Sequence, residues 1–307
     1  MFNLLKAIFS PEFGYAILRV TTPILFAALG ALVSDRAGIA NIGLEGIMLM
    51  AALTGVIGSA FTGSAWLGLL FAIITGLIIT GILAYFTLYF KTHIILGGIA
   101  VNLFADGGSI FILYLLTHDK GTSASLPSKV LPSINIPIIK DIPVVGEILS
   151  GHNVLTYISI LCVILVYIMF KKTSLGLRIK AVGENPDAAD SVGISVNKTR
   201  TIALLLSGVF ASLGGAYMSM GYVSWFSRNM TAGRGWIALA AEAMGRGTTM
   251  GTFFTSLLFG VADALSNILS SYSIPAEFVQ IIPYVATVVG LIVYASEENR
   301  KNKKVRD

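Results

Sequence analysis

The sequence predicts an all-α protein, a polytopic bundle of about nine transmembrane helices with one span short or broken. Three observations carry this prediction. Of the 307 residues, 55% are hydrophobic and 12% charged, and the mean hydropathy is +0.82. A soluble domain carries roughly a quarter charged residues. Apolar runs near the roughly 20 residues needed for one crossing recur along the whole chain. The basic residues gather in a few polar breaks between those runs, which is the pattern of membrane orientation.

In order, residues 1–13 carry one lysine and an apolar stretch too short for a secretory signal, so they read as mature sequence with a short interfacial helix. Spans follow near 15–33, 41–61, 66–90, 94–117, 153–170, 199–221, 235–246, 249–270 and 276–294. The seventh is too short to cross as a straight helix and is bounded by Gly233, Gly235, Gly245 and Gly247. It reads as a broken or re-entrant segment, tolerated at membrane depth only against protein or a polar cavity. Cys162 is the single cysteine and lies in an apolar run, so no disulfide within the chain is possible. Residues 1–307 read as one transmembrane domain.

Orientation comes from two basic segments, 171–200 (Lys171, Lys172, Arg178, Lys180, Lys198, Arg200) and the tail 296–307, both expected in the cytoplasm. Counting spans outward puts Arg36, Lys91 and Arg246 inside as well, leaving an external N-terminus and a cytoplasmic C-terminus. The loop 118–152 then lies outside. Pro127, Pro132, Pro137 and Pro143 divide it into short extended pieces, and it reads either as a connector or as a platform for an external partner.

Within the cytoplasmic loop 171–198, the string Gly183-Glu184-Asn185-Pro186-Asp187-Ala188-Ala189 and the following residues to Gly193 encode a short helix. Asn185 suits the N-cap, Pro186 the first helical position, Asp187 the positive end of the dipole and Gly193 a left-handed stop. So short a helix is not stable alone in water. It needs a surface, either this chain's own or a partner's, for Ala188, Ala189, Val192 and Ile194.

The run Gly176–Ala189 resembles the coupling-helix segment of permease subunits in the sugar, nucleoside and branched-chain amino acid uptake family of ABC transporters. Asn41-Ile42-Gly43-Leu44-Glu45-Gly46-Ile47-Met48-Leu49 resembles a second marker of that family in its nucleoside form, and Gly235-Trp236-Ile237-Ala238-Leu239-Ala240-Ala241 fits it too. The likeness extends from Leu18 to Tyr294. It departs from sugar-type members, which carry a further N-terminal span and a Gly-Gly-Ile-Asp-Leu type motif. The resemblance implies a type II importer-like permease in the plasma membrane, half of a pore for nucleosides. It further implies a second, related permease subunit, a cytosolic ABC ATPase docked on residues 183–189, and an extracellular substrate-binding lipoprotein. ATP and Mg would sit on the ATPase; this chain has no G-x-x-x-x-G-K-[ST] loop.

Polar groups at membrane depth cost about 2.5–3.5 kcal/mol when charged and so call for a reason. Asn41 and Glu45, Asn102 and Asp106, and Asp263 and Asn267 are spaced i,i+4, which on a helix is one face. They either line a passage for a neutral, hydroxyl-rich solute or tie helices together. Glu45 and Glu242 adjoin glycine-broken backbone, where half-helix ends face substrate in transporters, and are assigned with Asn41, Asn102 and Asp106 to the pathway. Asp263 and Asn267 are assigned to structure, and Glu277 to the outer interface. Trp225, Phe226 and Trp236 read as an interfacial belt. His93, His118 and His152 lack metal-ligand spacing, and His118 and His152, which flank the external loop, read as solvated. There is no nucleophile elbow, and the basic residues are not interleaved with aromatics as in nucleic-acid binders. The remaining alternatives are a simple-sugar or branched-chain amino acid permease, an ion-driven secondary transporter, and a non-transporting membrane scaffold.

Overall fold

Pro11, with its fixed φ, and the Ser10 side chain, which accepts from the Phe13 amide, start the first helix of the computed structural model. The structure describes residues 10–137 and 142–270, with positions 285, 288 and 290. The expected interfacial helix at the N-terminus, the span 276–294, Glu277 and the tail 296–307 fall wholly or almost wholly outside the described residues.

The described elements are all helical. They are α1 (Pro11–Asp35), α2 (Leu44–Thr62), α3 (Ala65–Leu88), α4 (Ile94–Thr117), α5 (Val145–Leu149), α6 (Val154–Lys172), α7 (Ser174–Glu184), α8 (Pro186–Ser191), α9 (Val196–Tyr217), α10 (Arg234–Met244) and α11 (Thr249–Leu269). Seven of them are long and apolar enough to cross a membrane. α10 is the short segment that the glycines foreshadow. At about 1.5 Å per residue its 11 residues span about 16 Å, roughly half of a 30 Å hydrocarbon core.

α1 is the centre of the bundle. It is buried without interruption from Val20 to Ser34, as a helix apolar on every side must be. It packs against α9, α10 and α11, while α2 packs against α3, α4 and α9. Backbones approach closely at the crossings. A Cβ on Gly215 would collide with the Met48 carbonyl, and one on Gly208 with the Thr80 hydroxyl, so close van der Waals contact holds α9 to the main chain of α2 and to the Thr80 side chain of α3. Pro23 lies inside α1 without ending it.

α9 continues as a π-helical turn, Met218–Tyr222. Ser219 Oγ donates to the Ala52 carbonyl at 2.8 Å, and the Met220 carbonyl accepts from the Leu131 amide at 2.8 Å. The long loop is thereby tied to the bundle. It is ordered by isolated bridges at Thr122–Ser227 and Ser133–Asn153, and it contains the short helix α5, which its prolines alone did not indicate. Phe226, expected at the interface, is fully buried beneath this loop, and its amide donates to Ser123 Oγ at 2.8 Å.

Candidate transport pathway and coupling site

The chain between α1 and α2 runs irregularly through the bundle, and buried backbone outside a helix must find side-chain partners. Two asparagines supply them. Asn41 Nδ2 donates to Ser207 Oγ at 3.0 Å, and Asn41 Oδ1 accepts from the Gly43 amide at 3.1 Å. Asn102 Nδ2 donates to the Ile42 carbonyl at 2.9 Å, and its Oδ1 accepts from the Gly46 amide at 2.8 Å. Asn41 is fully buried. It precedes α2, so Asn41 and Glu45 do not share a helix face as their spacing suggested. They are brought together by the turn that the asparagines hold.

Glu45 stands in the first turn of α2 and reaches across to α10. Its Oε1 accepts from the Gly233 amide at 2.8 Å and its Oε2 from the Gly235 amide at 2.6 Å. The carboxylate satisfies free donors at the N-terminus of the half-helix and complements the positive end of its dipole. A Cβ on Gly235 would sit 2.6 Å from Glu45 Cα, which explains the glycine. Beside it, Arg234 and Asp263 form an ion pair at 2.9 Å, so Asp263 ties α10 to α11, the structural role expected of it. Asn267 is exposed.

Glu242 is buried lower on α10, and its charged neighbours are Asp35 and Arg36. Asp106 lies one turn beyond Asn102 on α4 but is exposed, as are Leu103 and Phe104; Gly107 has open space around it. Of the five pathway residues expected from sequence, Asn41, Glu45 and Asn102 cluster, Glu242 lies below them and Asp106 opens outward.

At the other end of the bundle, Asn185 Oδ1 accepts from the Ala188 amide at 3.0 Å, Pro186 opens α8, and Gly193 takes a φ of +80°. Ala189 is buried against this chain, whereas Glu184, Asp187, Ala188 and Val192 are exposed, Val192 by 75%. α8 thus has one side seated and one side open. Sequence reasoning missed α7, which precedes it. Its signal was the Thr173 cap, whose Oγ accepts from the Gly176 amide, together with the apolar spacing of Ile179 and Val182, both buried.

His152 corrects the reading of solvated histidines. It is 1% exposed, stacked on Tyr15 with ring centroids 3.9 Å apart, and its Nε2 faces the Ile148 carbonyl at 2.8 Å. Burial pushes its pKa below the ordinary histidine value, against the Ile148 hydrogen bond and with the help of Arg19. His93 and His118 are exposed.

A bundle of membrane-length helices with a half-helix packed against its central helix, and polar side chains gathered at the half-helix's broken end, has the architecture of a membrane transport permease. The chain belongs to the family described as branched-chain amino acid transport system / permease component, which it matches over residues 15–295. It is 33% identical over 288 residues to the nucleoside ABC transporter permease protein NupC of Lactococcus lactis, covering 90% of each chain. It is 36% identical over 289 residues to the guanosine ABC transporter permease protein NupQ of Bacillus subtilis, covering 90% of this chain and 89% of that one. PsaBC from Streptococcus pneumoniae shares the fold, with a TM-score of 0.53 and 14% identity over 94% of each chain. The protein is an ABC importer permease of the nucleoside and sugar group, which displaces the ion-driven transporter and the scaffold.

Proposed function

We propose that this chain forms half of the translocation pathway of an ABC importer for nucleosides. The observation that carries the substrate class is identity of 33–36% along nine-tenths of the chain to permeases named for nucleoside and guanosine transport. The geometry supports it. A neutral, hydroxyl-rich solute is recognised through hydrogen bonds, and the Asp106 carboxylate on the open face of α4 offers acceptors to ribose hydroxyls or base amino groups. Asn41, Glu45 and Asn102 give the pathway wall its shape, and Glu242 lies deeper along α10.

In this reading a second, related permease covers α4, a cytosolic ATPase holding ATP and Mg seats on α8, and a substrate-binding lipoprotein docks on the 118–152 loop. The protein lies in the plasma membrane with its C-terminus in the cytoplasm. Transport proceeds by alternating access, nucleotide binding on the ATPase moving α8.

The test is uptake of radiolabelled guanosine by vesicles carrying the assembled transporter, with ATP inside. We expect ATP-dependent accumulation that unlabelled nucleosides suppress and that excess glucose, ribose or leucine leaves intact. Suppression by a sugar or by leucine alone would transfer the chain to that substrate class, and accumulation without ATP would remove it from ATP-driven import.

A further inference from the structure

α10 and the turn that follows it are held by two residues that flank the connection between α1 and α2. Glu45 holds the amides of Gly233 and Gly235 at its N-terminus, and Arg36 Nε donates to the Gly247 carbonyl just past its C-terminus. An anion meets the positive end of the half-helix, the favourable sign, and the Arg36 guanidinium holds the turn between α10 and α11. The turn that Arg36 grips is itself constrained, because Arg246 and Gly247 both take positive φ, +55° and +59°.

The other side of Arg36 faces the coupling helices. A Cβ on Gly183 would strike the Arg36 carbonyl, and Gly38 N lies 3.1 Å from the same position, so the end of α7 rests on this turn main chain to main chain. Arg200 Nε donates to the Ala37 carbonyl at 3.3 Å and closes the turn from α9. Gly38, with φ of +75°, and the return of the Ile39 amide to the Ser34 carbonyl give the turn a single shape. Contacts made by backbone have no side-chain rotamer in which to absorb a displacement, so movement of α7 and α8 is passed on.

We propose that Arg36 is a positioning residue that transmits movement of the coupling helices to the half-helix α10, along the route Gly183, Arg36, Gly247. The inference rests on the ATP-driven import reading above and names how that motion reaches the pathway wall. The arrangement is a two-ended clamp. The Gly183 contact pushes on the turn, the Arg36 guanidinium carries α10 with it, and Glu45 keeps the far end of α10 attached to α2.

The reporter is Trp236, exposed at the start of α10. In the assembled transporter, with Cys162→Ser and Trp236→Cys in this chain, the rate of maleimide labelling at position 236 is read by the mass of this chain alone, with and without ATP plus vanadate. We expect trapping to change that rate. In Arg36→Met the response falls by about tenfold, the scale of one charge-assisted hydrogen bond, while the ATPase still co-purifies; Arg36→Lys, which keeps a cationic donor, restores it. An unchanged response in Arg36→Met with the ATPase bound overturns the relay and leaves the import reading standing. A parent chain that captures no ATPase overturns the import reading and the relay with it. Should Arg36→Met fail to assemble, Gly183→Ala with the ATPase still co-purifying decides the matter: a weakened response supports the relay, and an unchanged one overturns it.

Discussion

Glu45 shows how far a single residue's type and spacing can be read. A carboxylate beside glycine-rich backbone inside a membrane span marks a special position, and that much is visible in the chain. Its partners, the amides of Gly233 and Gly235, lie about 190 residues away, as the hydrogen bonds record. Glu45→Ala leaves both amides without an acceptor, at about 1–3 kcal/mol each, so the initial rate of uptake is expected to fall tenfold or more. Glu45→Gln keeps one acceptor and should lose less. Equal, wild-type uptake by both variants would show that the cap does not matter to transport. The burial of His152 is hidden in the sequence for a related reason. Histidines in a polar loop are ordinarily solvated, and only the fold lays Tyr15 of α1 across its ring.

Among the elements, α8 was the most legible, because every signal for it is local. Asn185, Pro186, Asp187 and Gly193 act within one or two turns of one another. Its neighbour α7 is less legible in the sequence, because its polar face, with Arg178 and Lys180, reads like the rest of a basic loop. The exposed Val192 and Ala188 leave α8 with a side that nothing among the described residues covers. Combining Pro186→Gly with Asp187→Ala removes the preset first turn and the favourable dipole contact, together about 1–2 kcal/mol. We expect the double variant to reach the membrane normally and to lose about tenfold in ATP-dependent uptake, measured per transporter at the surface. Unimpaired uptake would place the ATPase contact elsewhere. α10 was legible as a break but not as a clamp, since glycines announce where a helix stops and not what grips its ends.

For the whole molecule the informative contrast is between α3 and α4, both 24-residue helices. The exposed face of α3 offers Trp66, Leu70, Phe71, Ile74, Ile78 and Ile82, an apolar surface fit for lipid. That of α4 includes Asp106 and an open Gly107 among Leu103 and Phe104, and a carboxylate facing lipid costs about 2.5–3.5 kcal/mol. A photo-crosslinking side chain at Gly107 is therefore expected to capture a second membrane subunit, and one at Ile78 none. Capture at Ile78 with none at Gly107 would reverse the two faces. The sequence by itself determined the helical membrane class, the half-length of α10 and the capped form of α8, because hydropathy, glycine placement and capping operate over a turn or a span. Tertiary structure alone decided that Glu45 holds the N-terminus of α10, that Arg36 holds the turn after it and that Gly183 rests on Arg36. Those contacts join positions far apart in the chain, and main-chain approach between them leaves no periodicity for a sequence to display.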